Sequence, residues 1–208
     1  MTRFSLRTRA ALAALALAPV LAAAAPAATP SFPPGQKDYA LAPAGTYGLD
    51  PAHAGVIARV SHLGYSMSVF RFDTVAGTLA WDPAQPEQAK VSATVQTASV
   101  TSNVKGFSTQ IAGDTLLKSK AFPEATFVSK AFRKTDATHG QVDGDFTLMG
   151  KTRPVTFDVT LIGAGAAFGK PRIGMQARTT INPQDYGLPA MFADPIEIVV
   201  DTEFERRQ

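Results

Sequence analysis

The sequence contains three histidines, the residue type that most often binds metal or moves protons near neutral pH. His53 and His62 are nine residues apart, around a predicted strand, and His139 lies in a predicted hairpin turn. A zinc site needs three or four converging ligands, and the chain has neither cysteine nor an H-E-x-x-H motif. We therefore predict no metal site and no cofactor. His53 and His62 are expected to hydrogen-bond strand ends, and His139 to be solvated.

Two carboxylates, Asp143 and Asp145, are two residues apart and share one face of a predicted strand. Such a pair is one arrangement for general acid–base catalysis. Gly140 and Gly144 flank the two residues, which favours turn and surface positions instead. No G-x-S-x-G motif marks an activated serine, so we predict no catalytic residue and a protein that is not an enzyme.

The stretch 144–157, GDFTLMGKTRPVTF, contains Gly150-Lys151-Thr152, which looks like the end of a phosphate-binding loop. That loop needs four residues between its glycines and a helix after it, whereas five residues separate Gly144 from Gly150. Apolar and polar residues alternate on both sides of Gly150 instead. The stretch is predicted to be a β-hairpin with Gly150 in its turn and Pro154 at the start of its second strand.

The same alternation, with a period of two, recurs through the chain and predicts an all-β fold. Spacings of about ten to fifteen residues favour antiparallel neighbours over parallel crossovers. About eight or more such strands can close into an antiparallel β-barrel, which leaves no exposed sheet edge. The predicted strands are 46–50, 56–61, 69–73, 75–82, 90–100, 125–134, the hairpin 141–162, 172–181 and 196–204.

Two segments interrupt the strand pattern. Residues 101–117 begin with the N-cap types Thr, Ser and Asn and continue with spaced apolar residues, so we predict a helical insertion. Gly106 and Gly113 each lower helix stability by about 1 kcal/mol, which favours a break in this helix. Residues 163–169, rich in glycine and alanine, are predicted to be a flexible loop.

Residues 1–27 have the features of a secretory signal peptide. A start with three arginines precedes the apolar run 10–25, which is short and alanine-rich for a membrane span. We therefore expect cleavage, no stable membrane anchor afterwards, and a periplasmic location. Residues 28–44, rich in proline and alanine, are predicted to be an extended tether, and residues 45–208 the barrel domain.

The charge of the chain gives no indication of a nucleic-acid partner. It has 20 basic and 17 acidic residues, and the predicted leader holds three arginines and no acid. The remainder is therefore balanced, with 17 of each, and contains no run of lysine or arginine. Because the chain lacks cysteine, an exported form must be stabilised by its core.

Five stretches, in this order, resemble the YceI-like family: 47–56 (YGLDPAHAGV), 62–64 (HLG), 77–82 (GTLAWD), 144–157 and 185–187 (DYG). The resemblance covers about residues 45–206. It implies an antiparallel barrel similar to the lipocalins, with an apolar tunnel that binds polyisoprenoid chains in the bacterial periplasm. Apolar strand faces alone leave open whether such residues fill the barrel or line a tunnel. The resemblance implies a tunnel wall that contains Phe70, Phe72, Leu79, Trp81, Val95, Phe107, Ile111, Leu117, Phe127, Phe146, Leu148 and Phe157.

Some positions depart from the family pattern. Gly113 and Leu116 stand where the family usually has Arg and His, which removes cationic partners for an anionic head group. Ala58 replaces a usual aromatic residue and Phe70 a usual glycine, which moves side-chain bulk from one position to the other. Met149 replaces a frequent His in the hairpin turn. These departures favour recognition of a chain over recognition of its head group.

We therefore expect a protein that carries or sequesters a long isoprenoid or similar long-chain lipid in the periplasm. One alternative is an enzyme that acts on a lipid or quinone inside the barrel, with His53 or His62 as acid or base. Another is a ligand-free stress or interaction protein with a filled barrel. The sequence leaves the oligomeric state open, with a homodimer as one option.

Overall fold

The computed structural model describes residues 33–207, whose backbone forms eleven strand segments. These are β1 (Gly45–Leu49), β2 (Gly55–His62), β3 (Ser66–Phe72), β4 (Val75–Trp81), β5 (Lys90–Gln96), β6 (Val100–Thr101), β7 (Glu124–Lys134), β8 (His139–Leu148), β9 (Lys151–Ala167), β10 (Lys170–Ile181) and β11 (Ile196–Arg206). The helical elements of this part are α1 (Phe107–Ala112), α2 (Pro183–Tyr186) and 3-10 turns at Tyr39–Leu41, Pro51–His53, Pro86–Gln88 and Thr97–Ser99.

These segments make eight long antiparallel strands that close into a barrel. β1 and β2, β3 and β4, and β5 and β6 are each two parts of one long strand with a bend between them. Each long strand pairs with the next one in the chain, and β11 closes the ring by pairing with both β1 and β2. The predicted all-β, lipocalin-like antiparallel barrel with a helical insertion is therefore confirmed.

The two ends of the barrel are covered by different segments. The helical end consists of the turn 62–66, the insertion 102–123, the turn 149–150 and the loop 182–195. The N-terminal end consists of residues 33–44, 82–89, 135–138 and 168–169. A buried apolar cluster lies at each end. The cluster at the N-terminal end contains Ala42, Tyr47, Leu79, Trp81, Leu161, Ala164, Ile173 and Phe204.

Residues 36–44 pack across the N-terminal end, so the predicted tether of 28–44 ends sooner than expected. Ala42 is fully buried, and its carbonyl oxygen accepts a hydrogen bond of 3.0 Å from Trp81 Nε1. The hydroxyl of Tyr47 donates to the carbonyl oxygen of Pro43 at 2.6 Å. The composition of this segment is that of a linker. Buried indole and phenol groups need acceptors, however, and the segment's backbone provides them.

The predicted signal peptide, residues 1–27, lies outside the described residues. Its cleavage and the periplasmic location therefore stay predictions. Within residues 33–207, neither helix combines the length and the hydropathy needed to cross a membrane.

The helical insertion is shorter than the predicted segment 101–117. α1 covers only Phe107–Ala112, and its N-cap is Gly106, at a left-handed φ of 78°, rather than one of the polar residues at 101–103. Gly113 is its C-cap, so the two glycines limit the helix at its ends rather than divide a longer helix into two parts. Polar N-cap types at 101–103 were a misleading signal, because this stretch begins by completing β6.

β9 runs through most of the segment that was predicted to be a loop, residues 163–169. Gly163 pairs with Gly174 of β10, and the turn is limited to Phe168 and Gly169, with φ values of 53° and 77°. Small residues suggested a flexible loop because they have low strand propensity. In the structure, the small residues allow the backbone at Gly35 to lie close to β9, since a Cβ on Gly163 would be 3.0 Å from the carbonyl carbon of Gly35.

The hairpin of β8 and β9 confirms the interpretation of the stretch 144–157. Leu148 pairs with Lys151 around a two-residue turn, in which Met149 and Gly150 have φ values of 52° and 72°. Two positive φ values are typical of a type I′ turn, whose twist suits a hairpin. A left-handed conformation costs a non-glycine residue about 1 kcal/mol. Burial of the Met149 side chain offsets this cost.

Gly144 in β8 is expected to tolerate no side chain. A Cβ there would lie 2.5 Å from the Phe127 ring and 2.5 Å from the carbonyl oxygen of Val128 in β7. A ring can rotate, but the carbonyl can move only if the strand pairing is disturbed. We predict that Gly144→Ala lowers the free energy of unfolding by about 2–3 kcal/mol in urea denaturation. Gly174→Ala is the control, because the nearest atom to its Cβ would be at 3.6 Å; equal losses would contradict the prediction.

Candidate ligand-binding cavity

The barrel encloses a cavity of about 290 Å³ that reaches from one end cluster to the other. All eight long strands contribute to its wall, and α1 and the loop 182–195 contribute at the helical end. Because apolar residues alternate with polar ones along each strand, the inward-facing residues are nearly all aliphatic or aromatic. The volume is close to the lower end of the range of about 300–1,000 Å³ that is usual for small-molecule sites.

The structure brings all the predicted tunnel residues together around this one space, so the barrel is not filled by its own side chains. Whether they contact a ligand stays a prediction. The residues are Phe70, Phe72, Leu79, Trp81, Val95, Phe107, Ile111, Leu117, Phe127, Phe146, Leu148 and Phe157.

The predicted tunnel residues did not include the small residues that create the space, although the missing bulk at Ala58 was noted. Ala58, Ala93 and Ala177 line the cavity from three different strands. The period of two could have identified them, because they lie in phase with the large inward-facing residues. Leu188 and Phe192 also line the cavity, but they belong to an irregular loop, for which no periodic signal exists.

Ala58 of β2 pairs directly with Phe70 of β3, and both line the cavity. The departures from the family pattern at these positions are therefore linked in space. The bulk that Ala58 lacks is supplied by the residue opposite. The Phe70 ring also contacts Phe107 of α1, with 5.9 Å between ring centroids, so this exchange connects the wall to the helical insertion.

Two further aromatic contacts fix the wall near the helical end. The rings of Phe127 and Phe157 meet edge to face, with 5.0 Å between centroids. Phe146 meets Tyr186 of α2 at 5.4 Å, and Tyr186 is almost completely buried. Each aromatic pair of this kind stabilises the fold by about 0.5–1.5 kcal/mol beyond the effect of burying its apolar surface. They hold the wall in place and secure the loop that follows β10.

The ionisable groups of the cavity wall lie together at the N-terminal end. Lys134 Nζ donates to the hydroxyl of Tyr39 at 2.8 Å, which raises the pKa of Lys134. The backbone N–H of Thr138 and the ring of His139 donate to Asp136 and lower its pKa to about 2. His139, expected to be solvated, is about half exposed but is held by this carboxylate. The rest of the wall carries no charge among the described residues.

Asp143 and Asp145 do not line the cavity. Asp143 forms an ion pair with Arg133, and Asp145 accepts from Lys130 at 2.6 Å. The two carboxylates therefore have separate partners on the outer wall, in agreement with the predicted surface role. They do not converge on a space where a substrate could bind.

Neither His53 nor His62 lines the cavity. His62 is exposed at the end of β2, whereas His53 lies on the outer surface with its Nδ1 2.9 Å from Asp50 Oδ2. The hydrogen bond of His53 near a strand end agrees with its predicted role. The enzyme alternative loses the acid–base groups that it named, because both are outside the barrel interior.

Asp50, His53 and Glu203 place three ligand atoms within 4.8 Å of one another, a spacing that suits a metal ion. Arg172 already lies between the two carboxylates. Its Nη1 is 3.0 Å from Asp50 Oδ2 and 2.5 Å from Glu203 Oε1, and its Nη2 is 2.5 Å from Glu205 Oε2. A metal ion would have to displace this guanidinium, so the group is better described as an ion-pair network.

Hydrogen bonds from His53 and Arg172, together with the N–H of Ala52, lower the pKa of Asp50 to about 2, although desolvation opposes them. The ordinary value is 3.8, so this stabilisation is present above that pH and is lost as the pH falls towards 2. The hydrogen bond between His53 and Asp50 also raises the pKa of His53. The stabilisation that protonated His53 contributes is fully present below about pH 6.5 and is lost as the pH rises through the pKa of His53 in the folded state.

We predict that titration of Asp50 accounts for a loss of about 2 kcal/mol in the free energy of unfolding between pH 4 and pH 2. Carbon-13 NMR of the carboxyl group should give a midpoint near the low value, and Asp50→Asn should remove this part of the pH dependence. Asp73→Asn, at an exposed ion pair, is the control. A midpoint close to 4 for Asp50 would contradict the prediction.

Comparison with known proteins agrees with this architecture. The YceI-like domain profile matches residues 47–204. A UPF0312 protein of Pseudomonas putida strain W619 is 39% identical over 154 residues, covering 73% of this chain and 80% of the relative. A UPF0312 protein of Shewanella sp. strain ANA-3 is 35% identical over 156 residues, covering 72% and 82%.

Solved structures share the fold. Burkholderia cenocepacia BcnA matches with a TM-score of 0.67 at 25% identity, covering 74% of this chain and 98% of that chain. A polyisoprenoid binding domain from Saccharophagus degradans, implicated in plant cell wall breakdown, matches with a TM-score of 0.57 at 16% identity, covering 77% and 98%. The family profile, the sequence relatives and the barrel agree, and the chain belongs to the YceI-like family.

Proposed function

We propose that this protein binds a long isoprenoid or similar lipid in its barrel cavity and carries or sequesters it in the periplasm. The observation that carries the proposal is the continuous apolar wall, to which all eight long strands contribute. The binding of polyisoprenoid by a domain of the same fold supports this class of ligand. The features of residues 1–27 support export.

Apolar contacts alone can supply the affinity. Each buried CH₂ group contributes about 0.8 kcal/mol, so ten buried carbons supply about 8 kcal/mol before the costs of association. Leu116 lines the wall at the helical end, where the family usually has a histidine. The ionised groups Lys134 and Asp136 already have partners at the other end. Binding is therefore directed at the chain of the lipid rather than at a charged head group.

The test is to purify the protein from bacteria under native conditions and to analyse an organic extract by mass spectrometry. About one lipid per protein is expected. Trp81, the single tryptophan of the chain, lines the cavity and should be quenched when a polyprenol is added. The absence of both a stoichiometric lipid and any quenching would overturn the proposal.

A further inference from the structure

The cavity reaches the surface of the barrel beside one turn. Most residues of its wall are buried or half-buried, and the exposed ones all lie in the segment 134–139, around the turn between β7 and β8. They are Lys134, Asp136, Ala137 and His139. Within residues 33–207, no wall residue at the helical end is exposed to this degree. The opening of the cavity therefore lies at the N-terminal end. We call it the portal, and residues 134–139 and Tyr39 form its rim.

The turn on one side of the portal is held by its own hydrogen bonds. Asp136 Oδ1 accepts from the backbone N–H groups of Thr138 and His139 at 2.7 and 2.8 Å. The Nδ1 atom of His139 lies 3.0 Å from the same oxygen. The carboxylate of Asp136 is therefore used inside the turn, where it fixes the shape of the rim, and it is not left as an acceptor for a ligand.

Tyr39 forms the other side of the portal and presents a hydroxyl group there. Its ring meets Trp81 edge to face, with 5.8 Å between centroids, and Lys134 Nζ lies 4.7 Å from the ring centroid. Because an ammonium group can only donate, the Tyr39 oxygen is the acceptor in its 2.8 Å hydrogen bond with Lys134. The proton of the hydroxyl is still available, and no residue in the described part of the chain accepts it.

The charges around the portal disfavour an anionic head group. The pKa of Lys134 is raised chiefly by the hydrogen bond to Tyr39, with smaller contributions from the charges of Glu87 and Asp136. A phosphate at the portal would gain one cation and meet the repulsion of two carboxylates. A neutral oxygen meets no such repulsion and can accept the proton of Tyr39.

We propose that the isoprenoid enters through the portal and leaves its polar end there, as a neutral alcohol or carbonyl oxygen that accepts a hydrogen bond from Tyr39. The chain would extend towards the helical end, where Phe107, Leu116 and Phe192 line the wall. This inference rests on the proposed binding of an isoprenoid in the cavity. It adds the orientation of the ligand and the class of its head group, a free alcohol or carbonyl rather than a phosphate ester.

Three ligands that share one isoprenoid chain test the head group: farnesol, farnesyl phosphate, and farnesene, which has no oxygen. Titration of Trp81 fluorescence gives each affinity. Tyr39→Phe should lower the affinity for farnesol about fivefold, because one neutral hydrogen bond is lost, and should leave the affinity for farnesene unchanged. Farnesyl phosphate should bind the wild type no more tightly than farnesol does. The matched control is Tyr65→Phe, since Tyr65 is 89% exposed at the helical end; it should bind farnesol as the wild type does.

The position of the entrance is tested by blocking it. The chain has no cysteine, so a single cysteine can be introduced and labelled with a maleimide-linked polyethylene glycol. The label on Ala137→Cys should slow the association of farnesol at least about tenfold. The same label on Met191→Cys, at a position that is 80% exposed at the helical end, should leave the association rate unchanged.

The head group and the entrance can each be refuted separately. No loss of farnesol affinity in Tyr39→Phe, or an equal loss for farnesene, would overturn the role of the hydroxyl. Farnesyl phosphate that binds about tenfold more tightly than farnesol would overturn the neutral head group. Association that slows with the label at position 191, or with neither label, would overturn the portal. If none of the three ligands quenches Trp81, the proposed function itself fails, and this result is distinct from all the others.

Discussion

Ala58→Phe is expected to lower the affinity for an added polyprenol about 100-fold while the barrel stays folded. Facing residues of paired strands have Cβ atoms about 4.5–5.5 Å apart, and Ala58 faces Phe70 on the cavity wall. A second ring would obstruct the space that Phe70 and Phe107 already narrow. The loss corresponds to about 2.7 kcal/mol of binding free energy. Titration of Trp81 fluorescence measures the affinity, and urea denaturation shows whether the fold is kept.

The reciprocal change supplies the sharper test of this prediction. Phe70→Gly removes the ring opposite, so Ala58→Phe/Phe70→Gly restores one large and one small residue in the family arrangement. We expect the double variant to recover most of the affinity, which would give a coupling energy of about 2 kcal/mol between the positions. Ala131→Phe, at an exposed position of β7, should bind as the wild type does. A double variant as weak as Ala58→Phe would show that bulk at this pair does not control binding.

The faces of the strands could be predicted from sequence because they depend on a local period of two. Phe146, Leu148 and Phe157 were placed on apolar faces by alternation alone, and all three line the cavity. The hairpin turn was also predictable, since glycine at position 150 readily adopts positive φ. The closed ring followed from the number of strands and the need to avoid open edges.

Features that depend on distant residues could not be predicted in this way. The segment 36–44 binds the barrel because Trp81 needs a buried acceptor, and nothing in the segment's own composition indicates that partner. The size of the cavity depends on which side chains of the eight strands lie at the same height inside the barrel. The space that Ala58 and Ala177 leave therefore depends on residues of other strands. The contact of Arg172 with Asp50 joins positions 122 residues apart along the chain, and no local sequence pattern marks it.

Arg172→Ala is expected to lower the free energy of unfolding by about 3 kcal/mol, because it leaves Asp50, Glu203 and Glu205 facing one another without their cation. The side chain of Arg172 is only 15% exposed, so water replaces its charge poorly. Glu205 pairs with Gly48 of β1, so the network spans the seam where β11 closes the barrel. Arg172→Lys should lose about half as much, because an ammonium group cannot bind three carboxylates with the geometry of a guanidinium.

The pH dependence of this loss separates charge repulsion from lost packing. Removal of Arg172 should raise the pKa of Asp50, which then takes up a proton as the pH falls. The difference in unfolding free energy between wild type and Arg172→Ala should therefore shrink between pH 7 and pH 3. Arg71→Ala is the control; its ion pair with Asp73 is about half exposed and should contribute less than about 1 kcal/mol at any pH. A loss that stays constant with pH would mean that Arg172 acts through packing, and that charge neutralisation does not hold the seam.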